Sequence, residues 1–378
     1  MYQLRNDPRL RNIMHTRQRI YFLDNLKTLL AAIVILVHAG QPYGPGGDWP
    51  IPAPPEIPFL NIVVIGPFFA VSSAFFMGLF FFISAHFMPG SFERKGVRRF
   101  LQDRFFRLGI PLLVLSTTVL PLIGYLFYAP EGISFVDFCL DGAIFSFGYL
   151  WFVVVLLVFA LIYTLWRRAG VILSPITVPR QSALLLSALV LGLASFVVRI
   201  WFPVNQWVCF HSIEPAHLPQ YLILFGAGIL AFRNRWLDTL PSSVSRLWSV
   251  LVVAGVFLLM PLYLIFGDAM TAGGCTPGSF LYSIWEGFVG IGICVILIVL
   301  FRRQWNGAGP VRGLLAENVF SVYLIHLPIV LALQTLLIPV EVPALCKFFL
   351  VGAAAIPLCF LISQYLVRRI PYAERVIF

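Results

Sequence analysis

Residues Ile20 to Gly40, IYFLDNLKTLLAAIVILVHAG, decide how the rest of the chain is read. The run has the length and apolar character of one bilayer-spanning helix, yet it carries Asp24, Lys27 and His38. His38 lies eleven residues after Lys27. At roughly 100° per residue the second side chain returns to within about 20° of the first, about 16 Å further along the axis. Ionisable groups are costly in hydrocarbon and usually face protein or a watery cavity. The stripe therefore predicts a reaction channel with a basic anchor near one end and a titratable imidazole deeper in.

Composition extends that reading to the whole chain. With 60% hydrophobic and 11% charged residues and a mean hydropathy of +0.91, 378 residues hold too little polar surface for a water-soluble globule. The apolar runs are helix-length and lack the ten-residue alternation of barrel strands. The expected fold is all-α, a polytopic transmembrane helical bundle forming a single integral-membrane domain. Ten spans are expected, at 20–42, 59–89, 106–128, 146–166, 182–202, 218–232, 247–266, 280–301, 315–337 and 345–367. The second is long, and Gly66-Pro67 predicts a break in it. The polar, basic segment 1–19 does not resemble a cleavable signal peptide.

Basic residues set the expected orientation. With a cytoplasmic N-terminus, the inner side receives Arg5, Arg9, Arg11, Arg17 and Arg19, then the loops around Arg94, Arg168, Arg235, Arg303 and Arg369, and finally Arg375. Counting Lys27, 24 of the 26 cations fall there, leaving Arg199 and Lys347 outside. Both termini are then expected in the cytoplasm, and the protein in a bacterial cytoplasmic (inner) membrane as a multi-pass chain. The net charge of +10 reads as orientation and contact with anionic membrane lipid. Scattered over short loops, it does not suggest nucleic acid.

One loop stands apart. Glu93 to Arg107, ERKGVRRFLQDRFFR, gathers six cations, with Arg104 and Arg107 spaced to share a helical face, and would meet a polyphosphate arriving from the cytoplasm. On the other side, Gln41 to Pro58 is dense in Pro and Gly and carries Trp49, Tyr43, Asp48 and Glu56. That loop is expected to form a stiff, irregular lid. Its aromatic rings and carboxylates, with Glu131, Asp137 and Asp141 in the next outer loop, suit either carbohydrate or an interfacial belt. Cys209 and Cys275 fall in outer loops and leave a disulfide open. No zinc-type spacing, P-loop, dinucleotide fingerprint or internal repeat is present, so neither a metal nor a permanently bound cofactor is expected.

Five segments in order, YFLDNLKTLLAAIVILVHAG from Tyr21, FFFISAHF from Phe80, RFFRLGIPLL from Arg104, YLWFVVVLLV from Tyr149 and ENVFSVYLIHLPI from Glu317, resemble the acyltransferase-3 family of membrane acyltransferases. The flavour is that of the branch containing the glucan succinyltransferase of osmoregulated periplasmic glucan synthesis. The resemblance implies transfer of an acyl group from a cytoplasmic acyl-CoA co-substrate, typically acetyl-CoA or succinyl-CoA, to a hydroxyl of a glycan or other acceptor across the membrane. The family's motif of a basic residue, ten residues, then His lands on Lys27 and His38. Arg is usual at the first position, and Lys keeps the charge without the planar fork.

On this reading His38 is the general base, and Glu286 and His326 are catalytic support. Lys27, Ser84, His86, Arg104 and Arg107 are donor-binding, and Trp151 and Tyr323 are substrate-binding. The family's Ser-Gly-aromatic motif reads Ser84-Ala85-His86 here. Asp24 is placed to neutralise Lys27. A transporter or flippase of a glycan or acylated lipid, without acyl chemistry, is the competing class, for which an inverted repeat would be the mark. The sequence is compatible with a homo-oligomer and does not specify one.

Overall fold

The computed structural model describes residues 19–46, 49–52, 56–140, 146–171 and 174–377. Arg5, Arg9, Arg11, Arg17, Asp48 and Asp141, and the side chain of Arg375, lie outside the described residues. The principal helices are α1 (Tyr21–Gly40), α2 (Phe59–Ser73), α3 (Phe76–Arg104), α4 (Ile110–Thr117), α5 (Val119–Tyr128) and α6 (Trp151–Arg168). They are followed by α7 (Gln181–Arg199), α8 (Leu218–Arg233), α9 (Val244–Phe266), α10 (Pro277–Gln304), α11 (Pro310–Leu336) and α12 (Ala344–Tyr365). The protein is an all-α, multi-pass helical bundle, as its composition requires.

Among the described residues, nine helical stretches are long and apolar enough to cross a membrane. One of them, Phe59–Tyr128, is 70 residues long, several times what one crossing needs. It contains the second and third expected spans, separated at Gly96, whose φ of 70° and ψ of 170° interrupt the helix. Only glycine adopts that conformation cheaply.

The break expected at Gly66-Pro67 lies elsewhere. α2 runs through Pro67, and the chain leaves the helix at Ala74 and Phe75. Two other helices clasp this irregular backbone. Gln220 of α8 donates its amide to the Ser73 carbonyl at 3.1 Å and to the Ala74 carbonyl at 2.5 Å. Gly290 of α10 packs so closely that a Cβ there would strike the Ala74 carbonyl. Unravelled backbone survives at membrane depth only where protein supplies such partners.

α1 is central, packing against α2, α3, α10, α11 and α12. Its apolar residues Leu23, Leu26, Leu30 and Ile35 are fully buried. α3 and α8 form the most extensively packed pair, with Gly228 seated against the Phe82 carbonyl. α8 is the shortest of the expected spans, and its stretch Pro215–Arg233 has the lowest mean hydropathy of the candidate crossings, 1.3, with 61% of its window buried inside the protein. It is enclosed by protein, so bonding to neighbouring helices replaces affinity for lipid. α9 is the opposite case, with 6% of its apolar window buried, and its character is set by hydrocarbon.

The loop from Gln41 forms no helix among its described residues up to Pro58, as its Pro and Gly content predicts. It is nonetheless anchored. Tyr43 and Ile51 are buried, and Asn61 donates to the Tyr43 carbonyl at 2.7 Å. Burial pushes the Tyr43 phenol up to about 12, so it is a neutral packing residue at physiological pH. Cys209 and Cys275 are exposed and unbonded.

Candidate active site

His38 lies in the last turn of α1, and α11 brings His326 beside it. The two imidazole centroids are 4.8 Å apart and the rings are inclined at 60°. His38 Nδ1 is 2.8 Å from the Val34 carbonyl, and His326 Nδ1 is 2.6 Å from the Tyr323 carbonyl. A carbonyl oxygen can only accept, so in each neutral ring Nδ1 carries the proton and Nε2 keeps its lone pair. His326 is fully buried, and its Nε2 has no partner among the described residues. His38 is half-buried. Each ring is thus fixed by its own helix and presents a basic nitrogen.

The short turn Gly148–Leu150 that leads into α6 supplies the adjoining wall. The Tyr149 ring meets the His326 ring edge-on at 5.4 Å. Its hydroxyl donates to the Leu324 carbonyl at 2.8 Å, while Tyr323 donates back to the Tyr149 carbonyl at 2.5 Å. Tyr323 and His326 share a helical face, as their spacing predicts, but the Tyr323 hydroxyl is already engaged in this reciprocal clamp. Trp151, two residues beyond Tyr149, turns toward α8 and stacks on Tyr221 at 5.2 Å, with Trp207 at 5.7 Å.

At the other end of α1, Lys27 Nζ lies 2.7 Å from Asp24 Oδ1, so the anticipated neutralisation is present. Asp24 also accepts from Arg19 Nε at 2.8 Å. Arg19, Asp24 and Asn25 line a cleft of about 390 Å³ together with Gly309, Pro310 and Arg312 at the start of α11. The Lys27 ammonium is 5.7 Å from the centroid of the Phe87 ring, which places the Ser84-Ala85-His86 segment of α3 near this end. Ser84 is half-buried. His86 is buried and meets Phe232 of α8 edge-on at 5.6 Å.

Arg104 and Arg107 do not behave as a matched pair. The backbone from Phe105 to Gly109 is π-helical, and its wider turn advances less per residue than an α-helix, so side chains three apart diverge. The Arg104 guanidinium sits 5.2 Å from the Phe100 ring centroid. Arg107 reaches outward, 3.9 Å from Asp103.

Glu286 belongs to a second polar cluster. Its carboxylate is 2.5 Å from Arg199 of α7 and 3.1 Å from His217 Nδ1, and Glu214 lies 3.5 Å from His217 Nε2. Arg199 also donates to Ser283 at 3.2 Å. All five side chains are buried. The imidazole that Glu286 orients is therefore that of His217, a residue the sequence reading did not single out. Arg199, read as an outer-end cation, is wholly enclosed.

Gln334 was not singled out, and Trp49 was read only as one of the lid aromatics suited to carbohydrate or to an interfacial belt. The Trp49 ring is 5.6 Å from that of His38. The available signal for Gln334 was an uncharged amide in an otherwise apolar span, LALQTLL; for Trp49 there was only its place in the lid.

Residues 20–364 match the family model described as an acyltransferase domain, that of the acyltransferase-3 family. The match covers most of the chain, which therefore belongs to this family and is a membrane acyltransferase. No curated protein and no solved structure matches the chain.

Proposed function

We propose that this acyltransferase resides in a bacterial cytoplasmic membrane and transfers an acetyl or succinyl group from a cytoplasmic acyl-CoA to a hydroxyl of an extracytoplasmic glycan, with His38 as general base. The observation that carries the reading is the His38 ring, anchored through Nδ1 to the Val34 carbonyl beside the buried imidazole of His326. Lys27 marks the donor end of the same helical stripe, about 16 Å away, a distance suited to an extended pantetheine arm. Phosphates of the donor would meet Lys27 near the Ser84-His86 segment, with Arg104 and Arg107, whose side chains diverge, offering separate contacts rather than one joint site.

In the proposed step the acceptor hydroxyl gives its proton to His38 Nε2 while its oxygen attacks the thioester carbonyl carbon. The tetrahedral oxyanion collapses, the C–S bond breaks, and the imidazolium returns the proton to the departing CoA thiolate. His326, whose Nε2 has no partner among the described residues, lies beside the imidazolium and supports it electrostatically with that lone pair. The succinyl donor is favoured by the flavour of the branch the sequence resembles, and acetyl is the alternative.

The test is turnover by the purified protein in lipid nanodiscs with acetyl-CoA or succinyl-CoA and a glucose oligosaccharide, followed by thiol release and by the mass of the sugar. His38→Ala is expected to lower transfer by about 10²- to 10⁴-fold. Full transfer by correctly folded His38→Ala protein would end the assignment. Mass spectrometry of envelope glycans from cells with and without the chain would name the acyl group.

A further inference from the structure

The lid loop and the proposed base are joined by one side chain from α11. Gln334 is 1% exposed. Its amide nitrogen donates to the carbonyls of His38 at 3.0 Å and Ala39 at 3.2 Å, oxygens in the last turn of α1, where the His38 carbonyl also accepts from the Gln41 N–H at 3.4 Å. Its amide oxygen accepts from the Trp49 indole N–H at 2.9 Å. A single amide thus fixes the position of the α1 terminus and of the lid tryptophan relative to each other. Trp49 is left with its ring 5.6 Å from the His38 ring, tilted by 40°.

This bonding is demanding. The amide must point its oxygen at the lid and its nitrogen at α1, and neither a carboxylate nor an apolar side chain can make all three bonds. An indole held in this way is a rigid apolar face with its polar edge already satisfied. It stands on the lid side of His38, opposite the end of α1 that carries Lys27. A flat apolar face beside a proton acceptor suits the C–H face of a sugar ring whose hydroxyl is to be deprotonated.

We propose that Trp49 is the wall of the transfer site on which the acceptor sugar stacks, and that Gln334 is the positioning residue that holds it beside His38. The acceptor class rests on the acyl-transfer reading above; the placement of Trp49 as a cover for His38 does not. The two are therefore tested separately.

The first arm is carbethoxylation of His38 by diethylpyrocarbonate in the full chain in nanodiscs, located by peptide mass spectrometry. Trp49→Ala and Gln334→Leu are each expected to speed His38 modification by about tenfold, and a glucose oligosaccharide is expected to slow it in the unsubstituted protein. Trp49→Phe should keep the oligosaccharide protection, because the ring remains. Trp49 sits in a loop, so its variants carry the test even if Gln334→Leu fails to fold. Unchanged labelling in the Trp49 variants would overturn the cover, and loss of cover without any oligosaccharide protection would overturn the stacking role. The second arm is kinetic: both substitutions should raise the acceptor KM by about tenfold with the donor KM unchanged, a split that general loosening of the fold would not produce. If His38→Ala retained transfer while labelling behaved as expected, the general-base reading would fail and the wall would stand.

Discussion

An imidazole in an apolar helix faces two demands, since one nitrogen must be satisfied and the other must stay available if it is to act. His38 and His326 meet them in the same way, each giving its Nδ1 proton to a backbone carbonyl of its own helix three or four residues earlier. That solution needs no carboxylate, which explains how Glu286 can be engaged elsewhere. It also separates the two roles of His326. His326→Asn keeps an amide donor for the Tyr323 carbonyl and removes the Nε2 lone pair. This variant is expected to fold normally, with kcat lowered by about 10²-fold, the lower end for a positioned proton-transfer group. Full kcat in His326→Asn would reduce the residue to packing.

Between helices, the decisive contacts involve residues too small to register in a hydropathy reading. Gly228 allows α8 to press against the carbonyl of Phe82 and the methyl of Ala85 on α3. Lipid offers no hydrophobic drive for helices to associate, so close backbone approach and interhelical hydrogen bonds carry the pairing. Gly228→Val would place branched carbon where backbone already lies. It is expected to destabilise the protein by about 1–3 kcal/mol, read as a lower thermal unfolding midpoint in nanodiscs. An unchanged midpoint would mean that α3 and α8 separate freely.

Across the whole bundle, the Arg199–Glu286–His217 cluster ties α7, α10 and the start of α8 together. An enclosed ion pair contributes little net stability, but removing one partner strands the other charge. Glu286→Ala is expected to cost about 3–5 kcal/mol, while the double substitution Arg199→Met with Glu286→Leu should recover most of that loss. Thermal unfolding of both variants checks the stability claim. Acyl transfer by the recovered double variant is expected to persist, and a stable but inactive double variant would show that the Glu286 carboxylate takes part in the chemistry.

What the chain alone determined follows from the solvent it must live in. Hydrocarbon acts on each residue independently and along one helix axis, so the apolar runs, the asymmetry of the 26 cations and the Lys27–His38 stripe are all readable locally, as is the absence of helix from the described residues of the Pro- and Gly-rich loop after Gln41. The motifs that place the chain in its family are likewise short and ordered. Tertiary structure decided which way each helix turns and what each lone polar side chain meets. Gln334 and Trp49 are 285 positions apart, and Arg199 and Glu286 are 87 apart. No local pattern encodes such pairings, because they depend on how distant helices rotate to pack. The same holds for the break at Ala74 rather than at Gly66-Pro67. A proline can remain within a span when neighbouring helices accommodate it, while the place where backbone unwinds is chosen by the partner, here Gln220, that can bond the freed carbonyls.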